Sequence, residues 1–127
     1  MSSSRLSPDQ RAYLETQRLG RLATVDDAGR PHVAPVGFFY NEALGTIDIA
    51  GFAMSSTAKF RHVARRGVAA FVVDDVLPPW RPRGIEIRGR AEALEHAPGA
   101  ETGLIRLYPE RVHAWGEGLR RERPDGR

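Results

Sequence analysis

The 127-residue chain has room for one domain built around one modest core. It has no cysteine, which excludes a disulfide framework, thiolate metal ligands and a cysteine nucleophile. Its formal charge of +3 is unevenly spread: residues 118–127 hold four arginines against two acids, so the remainder is almost neutral and offers little to a nucleic acid.

The chain opens on MSSSRLSPDQRAYLE, which has no apolar signal core, and no stretch approaches the ~20 apolar residues of a membrane span. A cytoplasmic protein with no membrane and no nucleic-acid partner is expected. Ser7, Pro8 and Gln10 form a helix start with a capping box; Ala12, Leu14 and Leu19 supply apolar contacts and Gly20 a stop. Leu22 to Val25 reads as a strand, and Asp27-Ala28-Gly29 as a hairpin turn. Pro31 to about Tyr40 reads as a strand whose run VAPVGFFY is apolar on both faces. One face can fill a barrel; the other needs a cofactor, a helix or a second subunit over it. After a turn at Asn41 to Gly45, Thr46 to Ala50 is a third strand.

Ser55 to Arg66 reads as the second helix, capped by Ser55 or Ser56, with Phe60, Val63 and Ala64 on its core face and Gly67 at its end. Val68 to Val73 is a strand, and 74–84 a loop carrying Pro78, Pro79 and Pro82. In Ile85 to Ala93 residues alternate strictly, with Glu86, Arg88, Arg90 and Glu92 outward and open to cross-strand pairing. Leu104 to Trp115 is a final strand interrupted at Pro109. Six strands and two short helices predict a mainly β, small antiparallel barrel over residues 1–117, followed by a basic, flexible tail at 118–127.

Chemistry concentrates between Gly51 and Arg61. A strand ends there and a helix begins with Ser55, Ser56 and Thr57, followed by Lys59 (the chain's single lysine) and Arg61. Unpaired amides, hydroxyls and a point charge at a helix start suit a phosphate; an ordinary capped helix with a basic face accounts for the same residues. The four histidines show no ligand spacing, so no metal is expected. Among them His32, which opens the doubly apolar strand, is best placed to touch a ligand. Asp26-Asp27 and Asp74-Asp75 read as turn residues. Trp80 could lid a planar ring or simply pack. No Walker loop, Rossmann fingerprint or nucleophile elbow is present.

The succession RLATVDDAGRPHVAPVGFFY, SSTAKFRHVARRG and RGIEIRGRAEAL resembles the pyridoxamine 5'-phosphate oxidase-like (PPOX-class) split-barrel superfamily over about residues 5–116, and within it the coenzyme F420 (deazaflavin)-dependent oxidoreductases. The resemblance implies a six-stranded split β-barrel that forms a homodimer and binds its cofactor between subunits. It implies a phosphate near Ser55, Ser56, Thr57, Lys59 and Arg61, and a ring beside His32, Val33, Ala34, Pro35 and Val36, with Ala50, Gly51 and Trp80 at the edges of the site. Where the oxidases carry an Arg and, five residues on, a Lys near the FMN phosphate, this chain has Ala34 and Phe39; the ending GLRRERPDGR also lacks their Arg- and His-containing substrate motif. The missing cations favour F420 over FMN, and the missing motif argues against pyridoxamine phosphate as the substrate. The expected activity is hydride transfer between F420 and an electron-poor double bond of a small organic molecule, with no protein nucleophile. The alternatives are an FMN flavoprotein and a barrel that binds a cofactor or haem without turnover.

Overall fold

The computed structural model describes residues 5–120. Helix α1 spans Pro8–Glu15 and opens on the expected capping box: the Gln10 amide donates to Ser7 Oγ at 3.2 Å, and the Ser7 amide to Gln10 Oε1 at 2.9 Å. It stops at Thr16, short of Gly20, which instead opens β1, Gly20–Val25. The other strands are β2 Pro31–Val36, β3 Phe39–Asn41, β4 Thr46–Ala50, β5 Val68–Leu77, β6 Arg81–Leu94, β7 Leu104–Leu107 and β8 Arg111–Trp115. Helix α2, Ala58–Arg66, lies between β4 and β5.

All the pairings are antiparallel, in the order β2-β1-β5-β6-β7-β4-β3, with β8 also on β6. The path does not close; β2 and β3 are its two ends. This is the mainly β split barrel with two helices, but with eight strands where six were expected. The six apolar runs are all there, and two of them break. The run 31–40 splits at Gly37-Phe38, so that β2 pairs with β1 and β3 with β4. The run 104–115 splits around Pro109, which has no N–H to give a ladder. β7 and β8 thereby pair with successive stretches of β6, which is fourteen residues long.

Residues 74–84 are not a loop. The β5–β6 ladder continues to Leu77↔Arg81, with Pro78 to Trp80 left for the turn. Pro82 is accommodated opposite Val76, beyond the point where β8 pairs on the other side of β6. The outward charges of β6 pair along their own strand, Arg88 with Glu86 at 3.6 Å and Arg90 with Glu92 at 3.9 Å, not across strands.

The core gathers Leu22, Phe71, Val73, Ile85 and Ile87 from one part of the sheet and Ile47, Ile49, Ile105 and Leu107 from the other. Leu14 seals it from α1, and Phe60 and Val63 from α2. Of the stretch read as a basic tail, 118–120 are described: Leu119 is buried, and its carbonyl accepts a hydrogen bond of 2.8 Å from the buried Gln10 side chain. Residues 121–127 lie outside the described residues. Among the described residues no helix is long and apolar enough to cross a membrane.

Candidate functional site

Helix α2 starts one residue later than a Ser56 cap would set it and two later than a Ser55 cap would. The cap is Thr57, whose Oγ1 accepts from the Phe60 amide at 3.2 Å and donates to the Met54 carbonyl at 2.8 Å. Met54–Ser56 form a 3-10 turn in front of it. Three amides of the approach are already used: Ser55 donates to the Thr102 carbonyl (2.8 Å), Ser56 to Ala53 (3.0 Å) and Thr57 to Met54 (3.0 Å). The amides of Ala58 and Lys59, the first two of the helix, have no acceptor among the described residues.

Lys59 is half-buried and makes no ion pair among the described residues. The helix's other cations are spent. Arg65 Nε donates to Asp27 at 2.8 Å, Arg66 reaches the Asp26 carbonyl at 3.0 Å, and Arg61 reaches the Ser56 carbonyl at 3.4 Å. Lys59 and Ala58 line a groove of about 180 Å³ between α2 and edge strand β2, whose other walls are Leu22, Thr24, His32, Val33, Ala34 and His62. Two regions that the sequence separates, the helix start and the doubly apolar strand, thus meet around one groove.

The remaining expected site residues are placed elsewhere. Arg61 borders a neighbouring groove with Asp26, Arg30 and Arg65. Val36 is buried opposite Gly20, and Pro35 points away from Ala34 by strand alternation. Ala50 pairs with Leu104, and the Gly51 carbonyl accepts from Thr102 Oγ1 at 3.0 Å, which ties the approach to the 102–104 segment. Trp80 is 75% exposed at the β5–β6 turn and lines neither groove. Phe39, counted with Ala34 as a missing cation, is on β3 opposite Asp48 and not on the strand of the groove.

Three residues that sequence reasoning did not assign to the site belong to it. Thr24 stands opposite His32 in the β1–β2 register, and its buried hydroxyl is 2.9 Å from His62 Nδ1. His62 follows Lys59 by three positions on α2, a spacing that puts both on one helix face and was legible. Asp26 does serve its turn, accepting the Ala28 and Arg30 amides on Oδ1 at 2.9 Å each; its Oδ2 is 2.9 Å from His32 Nε2. The His32 contact, with the two amides, holds the Asp26 carboxyl well below the usual carboxylate range. The described residues contain no group of three or more potential ligands that could hold a metal ion.

The groove joins a free cation and two free amides to an apolar strand, so it can hold a phosphate or carboxylate at one end and a flat ring along the other. The sequence profile of the pyridoxamine 5'-phosphate oxidase family matches residues 6–127. The chain belongs to this family. One relative, a 5a,11a-dehydrotetracycline/5a,11a-dehydrooxytetracycline reductase of Streptomyces rimosus subsp. rimosus, is 44% identical over 111 residues, covering 82% of this chain and 78% of the relative. Solved family-like folds include an FAD binding protein of Mycobacterium smegmatis (TM-score 0.68, 22% identity, 91% of this chain and 98% of that one). Another is a putative pyridoxamine 5'-phosphate oxidase of Listeria innocua (TM-score 0.65, 19% identity, 81% and 92%). At these identities the two structures speak for the fold. The expected oxidoreductase on a flavin-binding split barrel agrees with the family and with the reductase relative.

Proposed function

We infer that this family member is an F420-dependent reductase that adds a hydride and a proton to an electron-poor carbon–carbon double bond of a polycyclic substrate. The observation that carries the reading is Lys59: an unpaired cation, beside two free amides, in a groove walled by β2. Lys59 and the Ala58 and Lys59 amides would hold the cofactor phosphate, just beyond the Ser55-Ser56 turn. Val33 and Ala34 would face the ring and exclude water from it. When bound, the reduced deazaflavin supplies the hydride; the protein orients both partners and dries the site. The absence of a cation at Ala34 favours F420 over FMN, and the 44% identical reductase favours a substrate of the dehydrotetracycline kind.

A homodimer is part of this reading. β2 ends the sheet path, and Val33 is 71% exposed on it, with Phe39 also exposed on the following strand. Soluble monomers rarely keep such apolar strips open. A second copy would cover them and roof the groove. The cysteine-free chain suits a reducing cytoplasm.

Titrating F420 into the purified apo-protein tests the reading. Quenching of deazaflavin fluorescence with micromolar affinity is expected, followed by oxidation of reduced F420 when 5a,11a-dehydrotetracycline is added. No binding at tens of micromolar sinks the reading, and a protein that purifies yellow with bound FMN replaces it by a flavoprotein.

A further inference from the structure

Two histidines share the Lys59 groove, and hydride transfer alone needs neither. His32 comes from β2 and His62 from α2, with ring centroids 4.6 Å apart. Their partners differ in kind. His62 Nδ1 meets the neutral Thr24 hydroxyl, and His32 Nε2 meets the Asp26 carboxylate, both at 2.9 Å. Asp26 is itself fixed by two amides on its other oxygen, and Arg30 Nε lies 3.4 Å from Oδ2.

An ionised carboxylate only accepts, so the hydrogen of the Asp26–His32 bond sits on His32 Nε2. His32 Nδ1 has no partner among the described residues and is the atom left to gain and lose a proton. A carboxylate on one imidazole nitrogen orients the ring and stabilises its protonated form. The charged neighbours are Asp26 and Arg30 from the β1–β2 hairpin and Lys59 and His62 from α2; Arg61 and Arg65 border the adjoining groove. Of the two rings, His32 is the one whose partner is a carboxylate.

Resting on the reductase reading above, we propose that His32 is the proton donor of the reduction and Asp26 its positioning residue. One carbon of the substrate's conjugated double bond takes the hydride, with two electrons, from the reduced deazaflavin. The π pair moves to the neighbouring carbon, where a C–H bond forms as the N–H bond at His32 Nδ1 breaks. The substrate is reduced by two electrons and the deazaflavin oxidised by two. His32 is left neutral and regains its proton from solvent, to which its side chain is half-exposed.

The test separates binding, protonation and turnover in the 127-residue chain. Side-chain ¹⁵N NMR should show the His32 hydrogen held on Nε2 in the wild type and shared between the two ring nitrogens in Asp26→Asn. His32→Gln should bind F420 within about twofold of wild type and yet reduce 5a,11a-dehydrotetracycline about 100-fold more slowly or worse. Turnover within threefold of wild type in His32→Gln overturns the proposal and leaves the reductase reading standing. Loss of F420 binding in His32→Gln also overturns it, making His32 a binding residue. An unchanged His32 tautomer in Asp26→Asn removes the role given to Asp26. A wild type that neither binds F420 nor reduces the probe takes down the reductase reading, and this proposal with it.

Discussion

Asp48 on β4 stands opposite Arg106 on β7, and the two close a bidentate pair, Nε to Oδ1 at 3.1 Å and Nη2 to Oδ2 at 3.0 Å. Thr46 Oγ1 and Asn41 Nδ2 add donors at 2.9 and 3.0 Å, so each oxygen of this 1% exposed carboxylate is doubly satisfied. The Asp48 bonds raise the Arg106 pKa further. Removing one partner strands the other charge. Asp48→Ala should cost about 3–5 kcal/mol in urea unfolding. Replacing both residues by apolar ones of similar size should cost less than Asp48→Ala alone, because no charge is then left unpaired.

Lys59 and Arg65 sit at opposite ends of α2 and should separate cleanly. Lys59→Ala should weaken F420 binding about tenfold or more, the scale of one charge-assisted contact. Arg65→Ala, whose charge is exposed and already paired with Asp27, should change it less than twofold. Equal losses measured by fluorescence titration would mean that general positive charge, not the groove, attracts the cofactor.

Helix α1 is tied down by Tyr13, whose hydroxyl donates to Asp75 at 2.8 Å while Arg83 grips the same carboxylate at 2.8 and 3.1 Å. The Arg83 hydrogen bond leads in holding the Asp75 carboxyl below its ordinary 3.8, and burial followed by the Asp75 contact pushes the Tyr13 phenol above its ordinary 10.0. The signs follow. Asp75 contributes stability that is present above about pH 4 and is lost as pH falls through its lowered value. Tyr13 contributes stability that is present below about pH 10 and is lost as pH rises toward its raised value. Thermal melts should therefore hold a plateau between these limits. Asp75→Asn should flatten the acid limb, and Tyr13→Phe the alkaline one, at a cost of about 1 kcal/mol near neutrality.

Gly103 positions the approach to the site. Its φ is +117°, and a Cβ there would fall 2.8 Å from the Ser55 nitrogen and 3.2 Å from the Ser55 Cβ. Gly103→Ala should lower stability by roughly 1–3 kcal/mol through backbone strain and crowding, and should weaken F420 binding as the Ser55 turn moves. Unchanged affinity in a folded Gly103→Ala would detach this turn from the cofactor site.

A last prediction concerns assembly. Sizing at micromolar concentration should return a dimer, and Val33→Glu, which puts a charge on the exposed apolar edge, should shift it toward monomer. A wild-type monomer would remove the roof proposed for the groove.

Much of this architecture was legible in local chemistry. Ser7, Pro8 and Gln10 announce their helix because capping acts over three residues, and the alternation from Ile85 to Ala93 marks the long strand because one sheet face is buried. Local patterns misled where partners are distant. The turn chemistry of Pro78 and Pro79 suggested a loop over 74–84, yet the ladder to β5 extends through most of it. Nothing local in Thr46 to Ala50 shows that Asp48 is buried; Arg106, fifty-eight residues away, allows it to be.

The amino-acid order by itself determined the antiparallel β class, both helices, the family and the single lysine that marks the helix start, since each depends on near neighbours or a motif read in line. Only the tertiary structure decided that Lys59 meets β2 in one groove, that Thr57 rather than Ser55 or Ser56 caps α2, and that His32, Asp26 and His62 come together there. Those outcomes depend on strand register and on how α2 lies across the sheet. Contacts across the whole chain set both, and no window of adjacent residues contains them.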